Sequence, residues 1–233
     1  RHSFPTRRSS DLVEPLYYSL KDELISKNIF EPIAIYEYYP CISHDNKLYI
    51  FDKKYIYNNL EEAKNVPPLS EAIKVMEFPR QKRKPFRCIA DFFANDRLDV
   101  VGFTLASAGL KISDYEREFY DRGEFTKYYQ IHGLGVELAE ALAEVLHKQI
   151  RLDWDIVPKE GHKLSDVQMK QYVGCRYSPG YAACPELSQN RDIFDLLNPE
   201  KYGIELSETF QMHPEQTTCA IVVHNKEANY YNV

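Results

Sequence analysis

The chain has 233 residues, 44% of them hydrophobic and 27% charged, which is enough to bury a real core and sets a single globular domain as the default. Its formal net charge of −6 argues against general nucleic-acid binding, because neutralising phosphates calls for a basic excess or a basic face. No stretch reaches the run of about 18 apolar residues that a membrane-spanning helix needs, so a soluble, cytoplasmic protein is expected.

The first residues stand apart. "HSFPTRRSSDL" resembles the in-frame translation of a common short-read sequencing adapter, so residues 1–12 are expected to be a non-native leader and the native domain to run over 13–233. From Leu16 to Asn28 the spacing of Leu20, Leu24 and Ile25 predicts a short amphipathic helix. "PIAIYEYYPCI" reads as a strand rich in β-branched and aromatic residues, "SHDNK" as a turn and "LYIFD" as the returning strand. Residues 53–86 are polar and punctuated by proline, and are expected to be irregular with one helix at most. Within them, Arg80, Lys82, Arg83 and Lys84 form the densest basic run, compatible with a solvated loop or with a docking patch for an acidic partner. "RCIADFFA" (87–94) is mostly apolar and is expected to be a buried strand, with "LDVVGFTLASAG" as its antiparallel neighbour across an "ANDR" turn.

Helices are expected near 112–122 and 124–152. In the second, Ile131, Leu134, Leu138, Leu142 and Val145 fall on one face, and Glu137, Glu140 and Glu144 on the opposite one. Ser165 suits the N-cap of a short helix ending near Val173, and 188–197 reads as another helix. "IELSETFQM" and "TCAIVVH" are expected to pair as strands, with "EANYYNV" closing the chain. Strands and helices are segregated, which favours an α+β fold over a doubly wound one.

Several chemistries find no footing. There is no GxGxxG, no GxxxxGK[ST] and no GxSxG, and no Cys/His group has zinc-like spacing, so no catalytic triad and no metal site is expected. Cys41, Cys88, Cys175, Cys184 and Cys219 form neither a CxxC pair nor the even count of a disulfide framework, which points to a reducing compartment. Cys184 with His213 or His224 could be imagined as a nucleophile, but a small buried cysteine is the simpler reading.

What remains is a binding constellation. In "RYSPGYAACPE", Arg176 offers a planar donor fork suited to a carboxylate, Pro179-Gly180 allows a bend, and Ala182 and Ala183 let a flat ligand approach the backbone. A surface turn with an ion-paired arginine fits the same residues. Asp91, set among apolar neighbours, needs a partner: a structural Arg or Lys, or a ligand ammonium group. An arginine for a carboxylate and an aspartate for an amine are together what a free amino-acid moiety requires. Tyr230-Tyr231 could stack or hydrogen-bond at the end of the chain, or seal the sheet.

From about residue 16 to 233 the chain resembles the C-terminal activation domain of cobalamin-dependent methionine synthases. The resemblance is carried, in order, by "CIADFFA", "HGLGVELAEALAEVLHKQIR", "GCRYSPGYAACPE" and "LSETFQMHPEQTTCAIVVHNKEANYY". It implies an α+β fold, a curved single domain with a twisted antiparallel sheet flanked by helices. It also implies that Asp91, Arg176, Tyr230 and Tyr231 contact S-adenosylmethionine. The backbone of 176–180, including Ser178 and Gly180, would meet the adenine side with Tyr181 close by, and Glu140 would lie near the sulfonium. Close relatives often carry His after the "ACPE" motif, where this chain has Leu187. The implied task is reductive reactivation: S-adenosylmethionine supplies a methyl group, flavodoxin or an equivalent reductase supplies an electron, and the cobalamin is held mainly by an upstream module. Such a module could not make methionine alone. Two other readings stay open: a free-standing S-adenosylmethionine-binding protein serving a separate corrinoid protein, and a ligand-free interaction domain of the same fold.

Overall fold

The computed structural model describes residues 7–157 and 172–233, with side chains from residue 15 onward. A helix, α1 (Arg7–Ser26), leads into the antiparallel hairpin of β1 (Ile33–His44) and β2 (Lys47–Ile50). The expected "SHDNK" turn tightens to Asp45 and Asn46, with Asp45 in the left-handed region at φ +54°, which a short polar residue tolerates. A single helical turn, α2 (Leu60–Ala63), precedes β3 (Lys74–Glu77). Then come β4 (Asp99–Ser107), α3 (Leu110–Asp121), the long α4 (Phe125–Asp153), β5 (Cys175–Tyr177), α5 (Gln189–Leu197), the short β6 (Glu205–Leu206) and β7 (Met212–His213), and finally β8 (Thr217–Val223).

Six strands form one antiparallel sheet in the order β3-β2-β1-β4-β8-β5, and β6 pairs with β7 in a small separate ribbon. This is the α+β fold expected from the sequence. Alternation along the strands sends side chains to two different layers. Val101, Phe103 and Leu105 of β4, with Cys219, Ile221 and Val223 of β8, face a core closed by Ile193 and Phe194 of α5. The opposite face carries smaller residues, and α4 lies close against it: Ala106 packs with Ala143 and Leu146. Gly102 is part of this closeness, since a Cβ there would sit 3.2 Å from the Trp154 ring. Burying Ile131, Leu134, Leu146 and Ile150 of α4 is worth about 1.5–3 kcal/mol each, which ties the helix to α1, α3 and the sheet more firmly than helix propensity could.

Three expectations are corrected. Residues 87–94 are not a strand beside β4; the seats on both sides of β4 belong to β1 and β8, and Ile89–Phe92 is a 3-10 turn. The reason lies in Asp91, whose carboxylate accepts the Cys88 backbone N–H at 2.9 Å and so offers the chain a local alternative to a ladder. "TCAIVVH" does not pair with "IELSETFQM", because β8 is claimed on both sides by β4 and β5. The apolar face of α4 is rotated: Val145 is 63% exposed, whereas Ala139, Ala143, His147, Ile150 and Arg151 are buried. Small residues are what a close helix–sheet contact selects, and a search for large apolar side chains misses them. The helix expected from Ser165 lies outside the described residues.

Candidate functional site

Among the described residues the sheet ends at β5, which pairs with β8. Its three residues alternate: Cys175 and Tyr177 point into the α5-side core, and Arg176 points to α4. There Arg176 donates from Nη2 to Glu144 Oε1 at 2.7 Å and from Nη1 to the Ala143 carbonyl. The ion pair is mostly buried, with side-chain exposures of 15% and 32%.

Beyond β5 the chain makes the bend that Pro179-Gly180 announced. Tyr181 N–H donates to the Ser178 carbonyl at 3.3 Å, Gly180 N–H to the Cys184 carbonyl at 2.8 Å, and Tyr181 and Cys184 form an isolated bridge. Gly180 has φ +88°, a conformation that costs a residue with a Cβ. The bend forms one wall of a cleft of about 200 Å³. Ser178 and Tyr181 line it from this side, Val136, Ala139 and Glu140 from α4, and Thr217–Cys219 from β8. Glu140 is exposed and lies one helical turn from Glu144, so the cleft opens about 6 Å along α4 from the Arg176 ion pair. The sequence placed Glu140 on the polar face of α4; that face borders the cleft.

The C-terminal tail crosses the free edge of β5. Tyr177 donates its hydroxyl to the Asn229 carbonyl at 2.8 Å, Arg87 bonds the Asn229 side chain, and Val233 N–H reaches the Ala182 carbonyl at 3.4 Å. Successive tail residues then fall on opposite sides of the edge. Tyr230, half-exposed, sets its ring 5.9 Å from Tyr177 and lies within the electrostatic reach of Arg176 and Glu144. Tyr231 is buried between Phe92 and Tyr177, within reach of Asp91 and Arg80. Burial pushes the Tyr231 phenol well up, and its hydroxyl has no hydrogen-bond partner among the described residues.

Asp91 is held differently from Arg176. Both its oxygens accept from Arg80, at 2.6 and 2.7 Å, and Arg80 also bonds Asn46 and the Phe86 carbonyl. The carboxylate is 40% exposed, so its partner is a structural arginine at the surface and not a buried counter-charge. Arg80 is thereby withdrawn from the basic run, leaving Lys82, Arg83 and Lys84 exposed. The chain neighbours of Asp91 and Arg176, Phe92 and Tyr177, stack with ring centroids 6.1 Å apart and planes at 7°.

The structure thus brings Glu140, Ser178, Gly180 and Tyr181 to one cleft and its wall, Arg176 and Tyr230 beside it, and Asp91 and Tyr231 to the other side of β5. Sequence reasoning missed Glu144 and Arg80 as the partners of the two charged candidates; the only signal was that each arginine and carboxylate must find an opposite charge. It also missed Gln216, a cleft residue fully buried and bonded to Glu116 at 2.8 Å. Cys184 donates to Gln189 and burial raises its thiol to about 12, which makes it inert as a nucleophile near neutrality. All five cysteines are buried thiols outside any disulfide. Among the described residues, no helix is long and apolar enough to cross a membrane, and no group of three His, Cys, Asp or Glu side chains could hold a metal.

Residues 17–233 match the family model for the vitamin B12-dependent methionine synthase activation domain. A methionine synthase of Mycobacterium tuberculosis (strain ATCC 25618 / H37Rv) is 35% identical over 91% of this chain, and one of Mycobacterium leprae (strain TN) is 35% identical over 86%. The chain spans only 18% and 17% of those two proteins. Among solved structures, the crystal structure of the MetH reactivation domain bound to AdoHcy superposes with a TM-score of 0.85 at 22% identity, covering 99% of this chain and 70% of that one. The fold, the ordered motifs along β5, α4 and the tail, and a match over nearly the whole length agree, and the chain belongs to the activation-domain family of vitamin B12-dependent methionine synthases.

Proposed function

We propose that the chain binds S-adenosylmethionine along the β5 edge and presents its methyl group to a cobalamin carried by another module, as the reactivating part of a methionine synthase. The observation that carries this reading is the placement of Arg176, a guanidinium fork on an edge strand, beside a cleft that already contains Glu140, Ser178 and Tyr181. The solved relative of this fold, bound to AdoHcy, supports a ligand of the same chemical class.

The residues suit the parts of such a ligand. Arg176 takes the carboxylate. Asp91 contacts the ligand from the other side of the β5 edge: a carboxylate has about four acceptor sites, and two bonds from Arg80 and one from Cys88 leave a place. Tyr231 brings a buried hydroxyl with no partner among the described residues, and Tyr230 an aromatic face. The backbone of Ser178–Gly180 lies against the adenine side, with Tyr181 as its exposed neighbour. Glu140 places negative charge near the sulfonium. The cleft is the size of part of this ligand, and the cobalamin is held mainly by another module.

Cobalamin supplies the attacking nucleophile when it is brought to the site. The carbon–sulfur bonding pair stays on sulfur as the methyl leaves, so no side chain of this chain has to move a proton, in keeping with the missing triad. The chain's contribution is aim, and holding two reactants in line is worth about 7 kcal/mol or more. Glu140 stabilises a positive charge that disappears during transfer, so its role is binding and not acceleration. The electron comes from flavodoxin or an equivalent reductase, for which exposed Lys82, Arg83 and Lys84 offer a basic surface, in the cytoplasm.

Calorimetric titration with S-adenosylmethionine tests the reading. Saturable binding by the parent chain is expected, weakened at least about tenfold in Arg176→Ala. A folded parent that shows no binding would sink it.

A further inference from the structure

Three oddities lie along one face of α4. Glu144 gives Oε1 to Arg176, yet its Oε2 is buried with no hydrogen-bond partner among the described residues. Arg151, fully buried, has Nε, Nη1 and Nη2 all without a partner there, and its guanidinium rests on the Tyr172 ring at 3.9 Å. His147, between them, is also buried, and neither ring nitrogen has a hydrogen-bond partner among the described residues. Two arginines therefore share one carboxylate. A buried guanidinium without an acceptor is among the costlier arrangements a fold can hold.

Residues 144 and 151 are seven apart, close to two full turns, so they lie on the same side of the helix. Both side chains lean toward the N-terminus, so it is the length of the Arg151 side chain that reaches back along the helix, and the Glu144 charge already acts on Arg151. We propose that Glu144 is a positioning residue with two berths, Arg176 and Arg151, and that a ligand carboxylate arriving at Arg176 moves Glu144 to Arg151. This rests on the reading that Arg176 takes the carboxylate of S-adenosylmethionine.

One side-chain movement accounts for all the unmatched charge. Before the ligand arrives, Glu144 neutralises Arg176 and keeps its fork oriented. With the ligand carboxylate on Arg176, two anions could not share that guanidinium without repulsion, and Arg151 offers the displaced carboxylate its unused donors. Each anion then has its own arginine. Glu144 acts as a built-in competitor, so the site favours ligands whose carboxylate is strong enough to displace it, which makes the pair a determinant of specificity.

The test compares two ligands by calorimetry: S-adenosylhomocysteine, and 5′-methylthioadenosine, which lacks the amino-acid carboxylate. Glu144→Gln keeps the shape and removes the competing charge. It is expected to tighten S-adenosylhomocysteine binding about fivefold to tenfold and to leave 5′-methylthioadenosine unchanged. Arg151→Met removes the second berth and is expected to weaken S-adenosylhomocysteine binding by a similar factor, with that loss absent in the Glu144→Gln background. Arg151→Lys, which keeps the charge, should fall between the two if Arg151→Met fails to fold. Unchanged or weaker binding of S-adenosylhomocysteine by Glu144→Gln overturns the proposal, because Glu144 would then be a fixed anchor for Arg176. A folded parent that binds neither S-adenosylhomocysteine nor S-adenosylmethionine overturns the functional reading itself, a different result from a parent that binds and a variant that does not respond.

Discussion

The two sides of β5 hold their charged residues in opposite ways. On the α4 side, Arg176 comes from a regular strand and Glu144 from a regular helix, and their ion pair is largely sheltered from water. On the other side, Arg80 and Asp91 come from irregular chain, fixed by a 3-10 turn and a carboxylate that accepts a backbone N–H, and both are more than a third exposed. The first arrangement is held by the burial of the strand and helix that carry it; the second is held by hydrogen bonds at the surface. The same bond type should therefore respond differently to pH, salt and substitution on the two sides.

The largest difference should appear in acid. Burial, followed by the nearby Arg151 and Arg176, pushes His147 down from its usual 6.5 to about 2. The unfolded chain takes up this proton near pH 6.5 and the folded chain does not, so the stability contributed by a neutral His147 is complete above 6.5 and is lost as pH falls toward 2. Between pH 6.5 and 4.5 that loss is about 2 kcal/mol. Urea unfolding of the parent and of His147→Phe, which keeps an aromatic ring against Tyr172, measures it. The variant should lose about that much less over the same interval, and equal slopes would place the acid sensitivity elsewhere.

On the other side the effect should be smaller and sensitive to salt. Asp91→Asn removes the charge facing Arg80 and weakens the bond to the Cys88 N–H. Exposure limits the ion pair to about 1 kcal/mol or less, and the weakened turn adds a comparable amount, for about 1.5 kcal/mol in all. Much of it should fade at about 1 M salt, where exposed charges are screened beyond a few ångströms. A loss above 3 kcal/mol that persists in high salt would mean that Asp91 is as sheltered as Glu144, and the contrast between the two sides would collapse.

The same contrast explains what could be read from the sequence. Helices α3 and α4, the β1–β2 hairpin and the strand character of β4 and β8 follow from periodicity, because each buries one face against the rest. The 87–94 segment was misread because its apolar residues are buried without belonging to a sheet: Cys88, Ile89, Phe92 and Phe93 fill the core from a 3-10 turn set by Asp91. The buried face of α4 was misplaced because Ala139 and Ala143 do more for close packing than Leu142 or Val145. Arg176, Glu140 and Tyr181 were legible as candidates from local chemistry and resemblance. Arg80 and Glu144 were not, since ion pairing across 11 and 32 residues leaves no periodic trace.

Gly180 joins the two sides, and its substitution should have the smallest effect. Pro179-Gly180 in second and third place, with the Tyr181 N–H bonded back to the Ser178 carbonyl, is the residue order of a type II turn, whose third position favours glycine. Gly180→Ala should cost about 1 kcal/mol through φ +88° alone. There is a second candidate cause: the new Cβ would stand 3.1 Å from Leu187 Cδ1, the mobile end of a side chain. The two causes separate cleanly in a thermal melt. Asparagine accepts positive φ better than alanine but is larger, so Gly180→Asn should recover part of the loss if backbone conformation sets it and deepen the loss if Leu187 does. Adding Leu187→Ala to Gly180→Ala should then change nothing in the first case and restore stability in the second. Backbone conformation is expected to win, because the end of a leucine can turn aside by a few tenths of an ångström, whereas a bend whose amides are bonded to Ser178 and Cys184 cannot relax without giving up those bonds.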